Sequence, residues 1–267
     1  EYLMLTEDDI DPSKEDKAVN GAEEDADGSE NTQMQFASGS AKLGIDVSKW
    51  NQEIDWEAVK EEGVEFAIIR CGYRGASSGA LVIDPRYEEN IQGAIDAGIP
   101  VGVYFFTQAL DEVEAVEEAS MVIRLIEAYD VDYPVFLDSE SAGGNGRADG
   151  LTATERTAAH KAFLETVSAA GYETGVYASR NWLYDRINMT DLSEYKTWLA
   201  EYAEVPAYEG YYDMWQYTSK GKVNGISTNV DLNLCYMNID TSINHARGAA
   251  GYSGVVNGDS GNVPTTD

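Results

Sequence analysis

The sequence feature that most constrains the fold is a fivefold alternation of short apolar runs with longer amphipathic segments. The apolar runs have the length of buried strands and the amphipathic segments have the length of helices, so each pair predicts a parallel βαβ unit. After residue 190 three further strand-like runs follow, and no helix-length segment separates them. The predicted strands begin at Leu43, Phe66, Val101, Val135, Thr174, Thr197, Tyr212 and Val230.

Eight strands in this order predict a closed barrel, because the interior of an eight-stranded barrel is just filled by side chains. An open, doubly wound sheet is the alternative. That fold requires a Gly-rich phosphate loop after the first strand, and the stretch that follows Asp46 is Val-Ser-Lys-Trp. We therefore favour the barrel.

Several helix boundaries carry their own signals. Thr152 with Glu155 three residues later predicts a capping box, and Asp84 before Pro85 predicts an N-cap followed by a first-turn proline. Gly98 and Gly171 stand where helices are expected to end.

The two ends of the chain differ in composition from the middle. Residues 1–41 hold 12 Asp and Glu against 2 Lys, which predicts an acidic linker or tail. Residues 241–267 are rich in Gly, Ser, Thr and Asn, which predicts a second linker. We expect both tails to be disordered and residues 42–240 to form the barrel.

The formal net charge of −30 bears on the choice of partners. Such a surface repels the phosphates of nucleic acids and of anionic membranes, so we expect neither as a partner. No stretch approaches the roughly 20 apolar residues that span a bilayer, and the first residues lack the basic segment of a signal peptide. His160 and His245 are the only histidines, too few for a histidine-based metal site or a Ser-His triad.

Two acids one residue apart end the fourth predicted strand. Asp138 and Glu140 share a face of that strand, with Cα atoms roughly 6.5–7 Å apart. In a parallel barrel the active site lies at the carboxyl ends of the strands, where Asp46 ends the first strand. Asp231 precedes the apolar residues of the last strand, so it reaches this rim only if that strand is antiparallel. The closed barrel then predicts a cluster of four carboxylates.

Clustered carboxylates cannot all ionise freely, so the pKa of at least one is expected to rise. A carboxyl that stays protonated is a general acid. Two carboxyls with separated pKa values in an aromatic-lined cleft are the equipment of glycoside hydrolysis. The competing use of such a cluster is binding of Mg²⁺ or Ca²⁺. We expect acid catalysis, with no metal and no cofactor.

Seven motifs follow one another along about residues 42–240. They are Leu43-Gly-Ile-Asp-Val-Ser-Lys-Trp-Asn, Phe66-Ala-Ile-Ile-Arg, Pro100-Val-Gly-Val-Tyr-Phe-Phe, Pro134-Val-Phe-Leu-Asp-Ser-Glu, Gly175-Val-Tyr-Ala-Ser, Met214-Trp-Gln-Tyr and Val230-Asp-Leu-Asn. Together they resemble glycoside hydrolase family 25, the lysozymes that act as N-acetylmuramidases. The resemblance implies a flattened, TIM-like (β/α)5(β)3 barrel with an antiparallel eighth strand. It also implies cleavage of the β-1,4 bond between N-acetylmuramic acid and N-acetylglucosamine in peptidoglycan.

By matching position, the resemblance makes Glu140 the general acid/base and Asp138, Asp46 and Asp231 the assisting carboxylates. We expect the substrate's own N-acetyl carbonyl to attack, oriented by Asp138. The alternative is a carboxylate such as Asp231 that stabilises or traps the sugar. Phe106 departs from the polar or histidine side chain of many relatives. The implied sugar-binding residues are Tyr73, Tyr104, Phe106, Tyr177, Trp215 and Gln216.

The resemblance further implies a monomer that acts on peptidoglycan glycan strands. It implies secretion to the extracellular space or cell wall, with the export signal absent from this sequence. Two other functions stay open. A chitinase-like glycosidase also ends a strand in Asp-x-Glu, but its pattern has another Asp where Phe136 stands here. A non-catalytic wall-binding barrel would require the acids to be lost or blocked.

Overall fold

A computed structural model of the chain describes residues 41–239. The predicted linkers and His245 lie outside this range, apart from residue 41, so the linkers stay predictions. The described strands are β1 (Lys42–Val47), β2 (Phe66–Arg74), β3 (Leu81–Ile83), β4 (Val101–Phe106), β5 (Val135–Asp138), β6 (Thr174–Ser179), β7 (Lys196–Ala200), β8 (Met214–Gly221) and β9 (Val230–Cys235). The described α-helices are α1 (Trp56–Glu61), α2 (Tyr87–Asp96), α3 (Glu112–Ile126), α4 (Ala153–Ala169) and α5 (Arg180–Asp185).

Eight of the strands close into a barrel. Their order along the sheet is β1-β9-β8-β7-β6-β5-β4-β2, and a β1–β2 pairing completes the ring. Neighbouring strands are parallel except at β9, which runs antiparallel to both β8 and β1. The predicted barrel of five strand–helix units and three further strands, with its last strand reversed, is confirmed.

The short strand β3 was absent from the sequence-based prediction. It pairs antiparallel with the end of β2 and lies outside the ring, so that Leu81 is opposite Arg74 and Ile83 is opposite Gly72. Three residues are too few to show the alternation that distinguishes a strand from a loop. The predicted third to eighth strands therefore correspond to β4 to β9.

Two of the helix signals are confirmed. Thr152 accepts a hydrogen bond from the backbone of Glu155, whose carboxylate accepts one from Thr152 N at 2.9 Å. Gly98 and Gly171 follow helices with φ values of 70° and 93°, in the left-handed region that favours glycine. Within residues 41–239 no helix has both the length and the apolar character needed to cross a membrane.

The prediction that Asp84 is the N-cap of α2 is wrong. The helix begins at Tyr87, and Arg86 occupies the N-cap position without a capping side chain. Asp84 lies two positions before this N-cap, and its buried carboxylate accepts hydrogen bonds from Arg86 N at 2.9 Å, from Arg70 Nε at 2.7 Å and from Lys49 N at 3.1 Å. A buried guanidinium requires a carboxylate partner, and this requirement determines where Asp84 lies.

Alternation along the strands separates most of the buried apolar side chains into two clusters, and a third, small cluster holds Tyr73, Phe106 and Ala142. The larger of the first two packs between the strands and the helices and includes Ile45, Val103 and Leu199. The other fills the barrel interior. Because successive residues of a strand point to opposite faces, polar residues in phase with this interior cluster continue it toward the carboxyl ends. The strands supply to the interior cluster Phe66, Ile68, Phe136, Tyr177, Trp198, Ala200, Met214 and Cys235.

Candidate active site

Asp46 and Asp231 lie directly opposite each other on adjacent strands. They are register partners in the antiparallel β1–β9 ladder, as the closed barrel and the reversed last strand predict. Directly opposed residues in a ladder direct their side chains to the same face. On its other side Asp46 pairs with Ile68 of the interior cluster, so the face that they share is the barrel interior.

Asp138 reaches the same interior from β5. Its register partners are Phe106 on β4 and Tyr177 on β6, and Tyr177 belongs to the interior cluster. Asp138 is buried, whereas Glu140 two residues further on is half-buried. The predicted pair therefore consists of a buried acid at the end of a strand, followed by a more exposed acid at the mouth of the barrel.

Two side-chain amides hold the buried carboxylate of Asp46. Its Oδ2 accepts hydrogen bonds from Gln216 Nε2 and Asn233 Nδ2, each at 2.8 Å. Burial raises the pKa of Asp46 to about 6, and the two amide hydrogen bonds oppose this rise. A raised pKa was expected from crowding of the acids, but the leading cause at Asp46 is the loss of solvent.

The phenol of Tyr177 connects the acids of β1 and β5. Its hydroxyl donates a 2.9 Å hydrogen bond to Gln216 Oε1. Burial raises the pKa of Tyr177 well above the usual value for a phenol, and the charges of Glu140, Asp138 and Asp46 add to this rise. All three acids are therefore close enough to act on one buried hydroxyl.

Tyr202, in the segment after β7, connects the remaining acid to the same group. Its hydroxyl donates to Gln216 Oε1 at 3.0 Å. Burial raises the pKa of Tyr202, and the charges of Asp231, Asp46 and Glu140 raise it further. The four predicted carboxylates therefore surround two tyrosines that share one amide oxygen.

The loop that follows Glu140 is fixed by buried hydrogen bonds. The Asp149 carboxylate accepts bonds from the backbone N–H groups of Ala142 and Gly146, each at 3.0 Å. Arg147 connects the loop to helix α3, because its guanidinium donates hydrogen bonds of 2.7 and 2.8 Å to the two carboxylate oxygens of Glu114. Glu140 therefore lies two residues after the end of strand β5 on one side and next to this hydrogen-bonded loop on the other, which restricts its position.

Three of the predicted sugar-binding aromatics lie at or beneath the mouth. Tyr73 and Phe106 are register partners on β2 and β4, and both pack against Ala142 of the Glu140 loop. Both are almost fully buried, whereas Tyr104 is half-buried. The ring of Tyr104 packs in a T-shaped contact with Trp198, with ring centroids 6.1 Å apart. Tyr104 is thus the one of the three with surface available to a sugar.

The structure argues against Trp215 as a sugar contact. Trp215 is on the opposite face of β8 from Gln216, and it packs in the outer cluster with 6% of its surface exposed. Its indole N–H donates to the Glu201 carbonyl at 2.7 Å. The motif Met-Trp-Gln-Tyr supplies an inward amide, and the neighbouring tryptophan supports the barrel from outside.

Sequence reasoning missed three residues of this site. Asn233 lies two positions after Asp231, so the period of a strand would have placed both on one face. Trp198 lies in a predicted strand, but its phase was not assigned. Tyr202 stands in a stretch without periodicity, and nothing in its sequence neighbourhood marks it.

The geometry favours proton transfer over cation binding. Among residues 41–239 no group of three or more His, Cys, Asp or Glu side chains is arranged to hold a metal ion. At Asp46 the oxygen Oδ2 already accepts two amide N–H groups, which occupy the lone pairs that a cation would need. Carboxylates that differ in burial, beside tyrosines in a barrel mouth, are the arrangement expected of a glycoside hydrolase.

Comparison with protein families agrees with this class. Residues 45–226 match the family model described as glycosyl hydrolases family 25. The chain belongs to this family of glycoside hydrolases, which confirms the resemblance found in the sequence motifs.

Individual relatives agree with the family. The autolytic lysozyme of Clostridium acetobutylicum is 30% identical over 190 residues, which cover 71% of this chain and 54% of the relative. The modular autolysin LytC of Streptococcus pneumoniae, solved in complex with a synthetic peptidoglycan ligand, has a TM-score of 0.66 and 31% identity, over 73% of this chain and 47% of that one. The bacterial lysozyme of Streptomyces coelicolor shares the fold, with a TM-score of 0.62 and 24% identity over 78% and 97% of the two chains. The chain thus spans about half the length of the first two relatives.

Proposed function

We propose that this chain is a peptidoglycan muramidase. It hydrolyses the β-1,4 bond between N-acetylmuramic acid and N-acetylglucosamine. The observation that carries this proposal is the convergence of four carboxylates from β1, β5 and β9 on the tyrosine pair at the mouth of a family 25 barrel. The names of the relatives, an autolytic lysozyme and an autolysin bound to a peptidoglycan ligand, support this choice of substrate.

In this proposal Glu140 is the general acid/base. It is half-buried at the mouth, so it can reach a glycosidic oxygen while its neighbours keep bulk water away. Asp138 is buried beside Tyr177 and orients the N-acetyl group of the substrate for attack on the sugar carbon. Protonation of the leaving oxygen by Glu140 accompanies that attack, and the residue then takes a proton from the incoming water. Stabilisation of the sugar by Asp231 is the alternative.

The same proposal assigns the enzyme's surroundings. The relatives' names support action in the cell wall or the extracellular space. The substrate is the glycan strand, and we propose that the enzyme acts as a monomer. The net charge of −30 disfavours nucleic acids and anionic membranes as partners.

Replacement of the proposed acid tests this assignment. In Glu140→Gln the amide cannot donate a proton in the same way, so release of soluble muropeptides from purified peptidoglycan should fall by about 10²–10⁴-fold. The matched control is Glu127→Gln, the same chemical change on the exposed end of α3, and it should keep the wild-type rate. A Glu140→Gln protein that folds and retains its rate would remove Glu140 from the role.

The identity of the products tests the bond that is cleaved. A muramidase leaves N-acetylmuramic acid at each new reducing end, which reduction with borohydride and mass spectrometry identify. Glucosamine reducing ends, or cleavage of chitin in preference to peptidoglycan, would indicate a different glycosidase. Binding to the wall without any release of soluble fragments would indicate a non-catalytic module.

A further inference from the structure

The most informative feature that the proposed mechanism leaves unused is the way in which Asp46 is held. The amides of Gln216 and Asn233 both donate to the same carboxylate oxygen, Oδ2. Each amide comes from a different strand, β8 and β9, and both side chains are buried. We call these two side chains the amide clamp.

The orientation of Asn233 within the clamp is fixed by Trp198. The indole Nε1–H of Trp198 donates to Asn233 Oδ1 at 2.8 Å. An indole nitrogen can only donate, so the oxygen of the Asn233 amide must face Trp198 and its NH₂ must face Asp46. Trp198 itself packs in T-shaped contacts with Tyr177 and Phe136, with ring centroids 4.6 and 5.2 Å apart, respectively.

The orientation of Gln216 follows from the groups at both of its ends. Its Oε1 accepts hydrogen bonds from both Tyr177 and Tyr202, and its NH₂ is directed at Asp46. A flip of this amide would place its oxygen against the Asp46 carboxylate, although the two hydroxyls could accept from an NH₂. The charge of Asp46 therefore directs the second arm, whereas the donor-only indole directs the first.

We propose that Asn233 and Gln216 are positioning residues that determine which oxygen of the Asp46 carboxyl carries its proton. The clamp keeps Oδ2 as an acceptor of two N–H groups, so Asp46 gains and loses its proton at Oδ1 and ionises at a pH that the clamp sets. Trp198 prevents the Asn233 amide from flipping. This inference rests on the proposed function only in taking Asp46 as a carboxylate that assists the reaction.

The groups that face Asp46 act against its ionisation, which is why the clamp matters. Asp231 on β9 is its register partner, and β2 presents Ile68 on the other side. Asp138 and Glu140 approach from β5 and the loop after it, through their shared contact with Tyr177. The nearest cation in phase on β2, Arg70, is salt-bridged to Asp84.

The clamp is thus the main source of stabilisation for the charged form of Asp46. Burial favours the protonated form and raises the pKa of Asp46, and the hydrogen bonds from the two amide N–H groups lower it. The balance between them brings that pKa to about 6. Loss of one arm should therefore shift the ionisation to higher pH.

Nuclear magnetic resonance on the wild-type protein tests the clamp without any substrate. The Asp46 carboxyl carbon should titrate with a midpoint near pH 6, and the side-chain amide resonances of Asn233 and Gln216 should move with the same midpoint. The indole N–H resonance of Trp198 should follow them. Amide resonances that stay constant while Asp46 titrates would overturn the proposal.

A variant measures the effect on the proposed reaction. Asn233→Leu removes one donor, and a hydrogen bond to a charged group of typical strength corresponds to a shift of about one pH unit. The acidic limb of the pH profile of kcat/KM should move up by that amount, a loss of about tenfold below the midpoint. Asn188→Leu, at an exposed position on the outer surface, should leave the limb in place.

The outcomes separate this inference from the proposed function. A folded Asn233→Leu protein with an unchanged acidic limb and an unchanged Asp46 titration refutes the clamp. If Asn233→Leu does not fold, Gln216→Met removes the other arm and should give the same direction of shift. If the wild-type protein shows the coupled titration but releases no muropeptides, the proposed function fails and the clamp stands.

Discussion

Asp46 and Glu118 are both buried carboxylates near the mouth of the barrel, yet they are held by different chemistry. Glu118, on α3, accepts from Arg74 Nε at 2.8 Å and from Thr107 Oγ1 at 2.7 Å, one bond to each of its oxygens. Asp46 is held by two neutral amides on a single oxygen. Glu118 is fully buried, and burial raises its pKa to about 7 despite the guanidinium.

The difference concerns whether the hydrogen-bond donor that holds a buried acid is charged or neutral. The Arg74–Glu118 pair connects the ends of β2 and β4 to helix α3, and both carboxylate oxygens are occupied. Two neutral amides orient Asp46 through Oδ2 alone and bring no opposite charge to the carboxylate, which keeps a pKa of about 6. We infer that Glu118 positions the scaffold and that Asp46 serves the chemistry.

The largest expected effect comes from removing the cation of the structural pair. Arg74→Met leaves the buried Glu118 without its counter-ion, so that the carboxylate must stay charged or take up a proton, and the free energy of unfolding should fall by about 3–5 kcal/mol at pH 7.5. Loss of the guanidinium also raises the pKa of Glu118 further above its unfolded value. A group with a raised folded pKa stabilises at low pH, so the deficit should shrink as the pH falls from 7.5 to 5.5. Urea unfolding at both pH values measures this.

The control for this variant is Glu117→Gln. Glu117 is the exposed partner of Arg74, with 55% of its side chain accessible, and its loss should cost less than about 1 kcal/mol. If Arg74→Met costs no more than this control, the pair does not stabilise the scaffold and the contrast with Asp46 is lost.

A smaller change in stability, with the opposite sign, is expected at the reactive acid. The folded pKa of Asp46 is about 6, above the ordinary value of 3.8, so ionisation of Asp46 destabilises the fold as the pH rises through this window. The difference corresponds to at most about 3 kcal/mol. Asp46→Asn keeps an oxygen for both clamp amides and removes the charge. The variant should be more stable than wild type at pH 7.5, equal to it near pH 4, and at least tenfold less active.

Thermal or urea unfolding across pH 4–7.5 measures this difference, beside an assay of muropeptide release. An Asp46→Asn protein that is less stable than wild type throughout that range would contradict the assignment. It would place Asp46 with Glu118 among the structural acids.

The same contrast explains which parts of the molecule the sequence could predict. Strand order and the reversal of β9 follow from apolar spacing and from the position of Asp231 ahead of the apolar residues of its strand. The face of the sheet on which each side chain lies was predicted less well, because a shift of one residue along a strand exchanges the two faces. The family resemblance implies that both Trp215 and Gln216 contact the sugar, although neighbouring residues on a strand point to opposite faces. On β2 an irregularity between Arg70 and Gly72 changes the phase, and it has no signal in the sequence.

Contacts between distant residues were the least predictable part. Asp84 has the local signal of an N-cap, but the buried guanidinium of Arg70 recruits it. Tyr202 reaches Gln216 from a stretch without regular structure. The amide clamp depends on the phase of three strands at once, so its members become visible as a group only after the barrel has closed.

The smallest expected effects concern two residues with φ in the left-handed region. One lies in the turn after the strand of Asp46, and the other contacts the Arg74–Glu118 pair. Gln52 follows the short 3₁₀ helix Lys49–Asn51 after the strand of Asp46, with a φ of 62°. Gly79, whose carbonyl accepts from Arg74 Nη1 at 2.8 Å, has a φ of 70°. Gln52→Gly should relieve strain and raise the free energy of unfolding by about 1 kcal/mol.

Gly79→Ala should lower the free energy of unfolding by about 1–2 kcal/mol, since a Cβ there is strained and would lie 3.0 Å from the guanidinium carbon of Arg147. Urea midpoints of the two variants against wild type measure both changes. The two changes in the free energy of unfolding have opposite signs because position 79 already has the residue that a positive φ favours, whereas position 52 does not. If Gln52→Gly lowers the free energy of unfolding, contacts of the glutamine side chain stabilise the 48–52 turn by more than its backbone strain destabilises it. The proposed strain in the turn after Asp46 would then be refuted.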